Sequence, residues 1–240
     1  MPTFIQVLLL SLLPAAGNFI GGIVAEFARV SDKALNRALH AASGIVVAVV
    51  AIEIMPEALG GASAVLVVIA FCLGGAAYVV LDRGLGTILG GSGEQGPWMI
   101  YAAVAIDLFS DGLMVGIGST VSIGLALVLA IGQVTADLPE GFAAVANLRK
   151  SGISRTKRIL LAASFAFASL LGATVGFWLL RDQDRTIQLA ALAFVGGILL
   201  LAAVEDMLNE AHGASADASW SSASFIGGFA LFTLISSFLG

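Results

Sequence analysis

Charge is scarce in this chain: only 11% of its 240 residues are Asp, Glu, Lys or Arg, less than half the ~25% usual in a soluble domain. With 59% hydrophobic residues and a mean hydropathy of +1.02, that scarcity excludes a soluble fold. The net charge of -5 alone would suit an acidic soluble protein, but the apolar windows are apolar all round. They lack the polar face that a soluble helix keeps toward water, which sets aside a soluble repeat array. Cysteine occurs once, at Cys72 in an apolar run, so no disulfide forms within the chain and Cys72 reads as a core residue. A basic segment is missing before the first apolar run, and that run is too long for the core of a cleaved leader. Residues 3–27 therefore read as a first membrane span.

What the chain has is a succession of apolar stretches long enough to cross a bilayer, each near the ~20 residues a span needs. They lie near 3–27, 36–58, 62–81, 98–119, 121–147, 158–180, 187–210 and 220–239. The fold class is therefore all-α, a polytopic membrane protein of about eight transmembrane helices in one domain over residues 1–240. No intervening segment is long enough for a soluble domain. Of the eleven basic residues, Arg29, Lys33, Arg37, Arg83, Arg149, Lys150, Arg155, Lys157 and Arg158 fall in loops on one side. Only Arg181 and Arg185 fall on the other. The positive-inside rule then places both termini outside the cytoplasm, as expected of a plasma (bacterial inner) membrane protein. The run from Arg149 to Arg158 reads as the topology determinant, facing anionic headgroups. Trp98, Trp178 and Trp220 fall at span ends, where interfacial aromatics anchor helices.

The acids are placed unusually. Glu53 and Glu57 lie in the second span, Asp107 and Asp111 in the fourth, Asp137 and Glu140 in the fifth, and Glu205, Asp206 and Glu210 in the seventh. A charged group at mid-membrane costs at least ~2.5–3.5 kcal/mol on insertion scales. No lysine or arginine is expected inside a span to offset it, so protons, water or metal cations must. Asp107 and Asp111, four apart with Ser110 between, share one helical face. Gln133, Asp137, Glu140 and Asn147 form a stripe on the fifth span, with Ala144 in the gap and Pro139 freeing the carbonyl of Thr135. Gly112 and Gly141 follow Asp111 and Glu140 directly and permit close helix approach. Two facing helices, each giving two carboxylates, are how metal sites are built in helical bundles. Bland readings stand beside this one. Asp111, Asp137 and Glu140 would also suit a protonated polar core, Glu53 and Glu57 a vestibule or proton path, and Glu205, Asp206 and Glu210 a solvated span end. Met55 and Met114 read as packing. His40 and His212 sit at span edges, where histidine is either interfacial or a ligand.

The segment Glu53-Ile-Met-Pro-Glu57-Ala58 is matched by Asp206-Met-Leu-Asn-Glu210-Ala211, acids at i and i+4 in both. That implies a 3+2+3 inverted repeat, with the site at the repeat interface. Three functions remain open on these residues: a metal-ion carrier, an intramembrane enzyme using paired aspartates, and a carrier of protons or a non-metal solute. No Ser-His pair or His-Glu-x-x-His motif accompanies the acids.

In the fourth span Asp107-Leu108-Phe109-Ser110-Asp111-Gly112 resembles the pattern H-N-x-P-E-G of the ZIP (Zrt/Irt-like) metal transporters. Ala136-Asp137-Leu138-Pro139-Glu140-Gly141 in the fifth is similar to their H-[ED]-x-P-E-G. The Gly-Gly run and Glu-Ala-His ending of the seventh span, E-I-M-P-E-A in the second and G-G-F-A-L-F in the eighth are also similar, so the likeness covers nearly the whole chain. The resemblance implies transport of a divalent metal into the cytoplasm, by a homodimer, through a binuclear site between the fourth and fifth spans. The metal is then substrate and not cofactor. By position, Asp111, Asp137 and Glu140 match family ligands, Asp107 stands where a histidine normally ligates, and His212 also matches a family position. Gln133, Ser110, Asn147, Glu53, Glu57, Asp206 and Glu210 are left as pathway or supporting residues. The departures are Ala136 and Leu108 in place of the usual histidine and asparagine or serine, Ser169-Leu170 in place of Glu-Pro, and no histidine-rich loop. Imidazole suits zinc, and carboxylate oxygen suits manganese and harder cations. The lost imidazoles therefore favour manganese or ferrous iron, with zinc next and magnesium or calcium behind.

Overall fold

The computed structural model describes residues 2–28, 31–89, 97–208 and 218–239; the side chains of 85–89, 206, 207, 218 and 219 lie outside that description. The described residues form eight apolar helices long enough to cross a membrane. They are α1 (Phe4–Phe27), α2 (Asp32–Gly61), α3 (Ala64–Leu89), α4 (Pro97–Val121), α5 (Ile123–Lys150), α6 (Arg155–Leu180), α7 (Arg185–Ala202, running on through Ala203–Met207) and α8 (Ala218–Leu239). In hydrocarbon a helix satisfies its own backbone groups, so uninterrupted apolar sequence becomes uninterrupted helix. Ends are set by local chemistry: Thr3 and Gln6 cap α1 reciprocally, and Ser31 and Ser122 cap α2 and α5. Gly152, at φ +76°, closes α5, with the Ile153 amide donating to the Leu148 carbonyl. α5 carries Pro139 without breaking.

Two helices widen into π-turns, α2 at Val49–Ile54 and α7 at Ala203–Met207. In α2 the cause is Pro56, which has no N–H for the Ile52 carbonyl. In α7 no proline is present; the Ala203 carbonyl accepts from the Leu208 amide in the wider register and also from Ser43 Oγ at 3.0 Å. The two π-turns end just after Glu53 and Asp206, the first residues of the repeated segment. The packing repeats as well. α1 lies against α5 as α6 lies against α4, and α3 against α7 as α8 against α2. A Cβ at Gly74 or Gly197 would strike the backbone of Phe194 or Phe71. In the other half, a Cβ at Gly228 or Gly44 would strike Ala41 or Phe225. These are the same contacts made twice, so the fold is a 3+2+3 inverted repeat with α4 and α5 between its halves. Small residues let the backbones approach, and their positions in the two halves are what the twofold relation maps onto each other.

Four sequence expectations are corrected here. Cys72 is exposed on the outer surface and not in the core, because an all-apolar span gives no signal of which side faces lipid. His40 is buried rather than interfacial, its Nδ1 2.8 Å from the Asn36 carbonyl. Arg158 is more than a topology charge: it is buried in α6 and grips Glu26 of α1 by two nitrogens, Nη2 to Oε2 at 2.7 Å. Basic partners do reach span acids, since Arg185 Nη2 meets Glu57 Oε1 at 2.6 Å from the first turn of α7. Met114 is fully buried packing, as expected. Trp178 and Trp220 carry the guanidinium groups of Arg181 and Arg37 on their faces, at 4.6 and 5.3 Å.

The Glu26 side chain is only 3% exposed and its second partner, Arg155, is a mostly exposed side chain 3.7 Å away, so removing Arg158 leaves a buried charge only weakly held. Arg158→Met is expected to destabilise the detergent-solubilised protein by about 3–5 kcal/mol. Glu26→Gln added to it should restore most of the loss in thermal unfolding.

Candidate metal centre

α4 and α5 cross at the centre of the repeat and present their acids to each other. On α4 the four-residue spacing sets Asp107 and Asp111 on one face; on α5 the stripe of Gln133, Asp137 and Glu140 turns inward. Asp111 and Asp137 are 0% and 1% exposed, Gln133 is 1% exposed, and Glu140 is buried. Ligand oxygens of Asp107, Asp111 and Asp137 all lie within 4.8 Å of one another. Glu140, one turn beyond Asp137, stands outside that group. The Gln133 Nε2 donates to Asp111 Oδ1. Asp111 Oδ2, Gln133 Oε1 and both Asp137 oxygens are buried with no hydrogen-bond partner among the described residues.

That arrangement is costly unless something positive joins it. Two unit charges about 4 Å apart repel by roughly 4 kcal/mol even at an effective dielectric of 20, and three carboxylates make three such pairs. Orphaned buried oxygens add their own desolvation cost. A cation among them relieves both terms. Among the described residues the group offers carboxylate oxygens only; the position where the family pattern has histidine is Ala136, fully buried and apolar.

The supporting residues divide. Ser110 is committed to its own helix, donating to the Ile106 carbonyl at 2.9 Å, and with Asp107 it lines a cavity of about 30 Å³, room for about one or two waters. Tyr78 and Asp82 of α3 and Ile198 and Ala202 of α7 complete that cavity, on the half of the bundle toward the basic loops. Toward the opposite end the packing is dry: Ile54, Met114, Ile117, Leu192 and Val195 form one buried cluster. Beyond it Arg185 ties Glu57 to the Val121 carbonyl. Glu53 is not in the centre; it accepts from Ser236 of α8. Asn147 lies half-buried two turns beyond Glu140. Glu205 is exposed, while the Asp206 side chain, Glu210 and His212 lie outside the described residues. Sequence reasoning missed Asp82, at the cavity mouth, and Asn18 of α1. Asn18 is 1% exposed, its Nδ2 has no acceptor among the described residues, and its backbone lies against Gly141, beside Glu140. The available signal for Asn18 was a lone amide in an otherwise apolar span.

A family model described as ZIP zinc transporter matches residues 91–236, which is α4 to α8 with the acidic pair of helices inside it. A comparison with curated proteins finds no match.

Mutual repulsion of the acids predicts a trade between stability and binding. Asp137→Asn should leave the metal-free protein at least as thermostable as wild type. It should also lose the metal-induced rise in Tm, which is worth about 2.7 kcal/mol for wild type at a hundredfold excess of metal over Kd. Differential scanning fluorimetry with and without MnCl2 reads both. Eight apolar spans, the acids facing one another across α4 and α5, and a family match over more than half of the sequence lead to one assignment: this chain belongs to the ZIP zinc transporter family, integral membrane carriers for which a divalent metal is substrate and not cofactor.

Proposed function

We propose that this transporter carries manganese or ferrous iron in preference to zinc, into the cytoplasm, with Asp107, Asp111, Asp137 and Glu140 as its ligands between α4 and α5. The observation that carries this reading is the cluster of three aspartates, with orphaned oxygens on Asp111 and Asp137 and no nitrogen or sulfur ligand in the group among the described residues. Carboxylate donors favour manganese and harder cations over zinc, which gains most from imidazole and thiolate. Zinc remains the second candidate because the Irving–Williams order gives it higher raw affinity at any given site.

Direction follows from the charge distribution. Nine basic residues on one side against two on the other support a cytoplasmic basic face and external termini, in a plasma (bacterial inner) membrane, with residues 1–240 acting as one transporter domain. The cavity at Asp107 and Asp82 then serves as the exit toward the cytoplasm. Glu57, held by Arg185 at the other end, belongs to the external vestibule, with Glu53 behind it. Gln133 and Ser110 support the centre. Asn147 falls along the cytoplasmic half and would receive the departing cation; Asp206, Glu210 and His212, which lie wholly or in their side chains outside the described residues, are kept as pathway residues on the family likeness alone. A homodimer is the proposed assembly, carried only by the family likeness.

Two measurements test this reading. Proteoliposomes are expected to take up labelled manganese or ferrous iron faster than zinc or cobalt, with Asp111→Ala and Glu140→Ala both reducing uptake to the level of empty vesicles. Zinc taken up in strong preference would refute the selectivity; uptake of no divalent metal would refute the transport reading. For orientation, cysteines placed at Ser151 and Gln183 in a Cys72→Ala background should differ in whole cells. A membrane-impermeant maleimide should label position 183 and spare 151.

A further inference from the structure

We infer that Gln133 is itself a ligand of the transported cation, through its amide oxygen, and that it sets the selectivity of the centre against zinc. This rests on the reading of the α4–α5 centre as the cation site. Gln133 is 1% exposed in α5, four residues before Asp137 and so on the same helical face. Its two amide atoms have different fates. Nε2 donates to Asp111 Oδ1, which fixes the amide beside the carboxylate cluster. Oε1, bonded to the same carbon, is buried with no donor among the described residues. A glutamine that only steadied Asp111 would leave that oxygen as a standing cost, since a buried carbonyl without a donor loses its hydration and gains nothing. A cation held by Asp111 and Asp137 is the partner that oxygen lacks. Asp111 Oδ2 and both Asp137 oxygens are likewise buried without a donor among the described residues, and Asp111 and Asp137 bring ligand oxygens within 4.8 Å of each other.

The chemistry of the ligand then matters. The four proposed carboxylate ligands already exceed the charge of a divalent ion, and a further anionic donor in their midst would hold the ion more tightly and release it more slowly. An amide oxygen adds a donor without adding charge. It is a hard, neutral ligand of the kind that suits manganese, magnesium or calcium, and it gives zinc none of the preference that an imidazole would. Ala136 has no donor to offer, so Gln133 is the only neutral side-chain ligand that α5 brings to the described cluster.

The test must separate ligation from support, because removing a residue that merely orients a ligand costs about 10–100-fold in affinity as well. The full-length protein in nanodiscs is titrated with MnCl2 and ZnCl2, comparing wild type, Gln133→Leu, Gln133→His and Asp137→Asn. Folding is checked by gel filtration and Tm. Gln133→His keeps a ring N–H able to hold Asp111 and replaces the oxygen by nitrogen. It is expected to raise the zinc-to-manganese affinity ratio by about tenfold or more. Bound Mn(II) should show a nitrogen hyperfine coupling by pulsed EPR that wild type lacks. Gln133→Leu should weaken manganese binding by about tenfold or more. If Gln133→His leaves the ratio within about twofold of wild type and shows no nitrogen coupling, while Asp137→Asn abolishes binding, the centre stands and Gln133 is not a ligand. If Asp137→Asn binds both metals like wild type, the reading of the centre fails and this inference fails with it. Should Gln133→Leu not fold, Gln133→His alone decides between these outcomes.

Discussion

Negative charge held in a low-dielectric bundle must find a counter-charge, and the two ways this chain meets that requirement organise the rest of the structure. Where the partner is an arginine, the result is a clamp: Arg158 on Glu26 fastens α6 to α1, and Arg185 on Glu57 closes the far end of α2 against α7. At Asp107, Asp111 and Asp137 the carboxylates instead face one another, so the charge there must be balanced by protons, water or a bound cation.

The inverted repeat explains how such a centre is positioned. A site between α4 and α5 lies where the two halves meet, so each half supplies a packing surface and neither must break its own backbone hydrogen bonding to make the site. The glycine contacts show how narrow the tolerance is. With Gly141 against Asn18 and Gly112 against Ser169, any Cβ would drive α1 or α6 away from the helix that carries the acids. The π-turns at Val49–Ile54 and Ala203–Met207 add a second matched feature beside the centre, and turns of this kind free carbonyls and occur often at functional sites. That one is relieved by a proline and the other by Ser43 shows the backbone feature reached through different side chains.

The centre is lopsided along the membrane normal. On the basic side a small, mainly apolar cavity reaches Asp107; toward the other end lie an apolar cluster and the Arg185–Glu57 ion pair. Among the described residues the carboxylates are thus reached by a cavity on the basic side and face dense apolar packing toward the other end.

Much was legible in the residues alone, and for local reasons. A span is apolar at every position, so eight spans and their order can be read one window at a time. Asp107 and Asp111, or Gln133 and Asp137, share a face by the pitch of a single helix. The likeness of Glu53–Ala58 to Asp206–Ala211 announced the repeat. What those readings lacked was rotation: a helix apolar on all sides carries no mark of which side meets lipid, so Cys72 was expected inside and His40 at the edge, and both lie elsewhere. Nor could they find partners far apart in sequence. Glu26 with Arg158, Glu57 with Arg185, Glu53 with Ser236 and Asp111 with Gln133 are each decided by which helices pack together. The sequence by itself determined that the chain crosses a membrane eight times with acids in its fourth and fifth spans, because hydropathy and helical pitch are local properties. Only the tertiary structure decided which acids are held by arginine and which face one another, because a counter-charge acts across space and not along the chain.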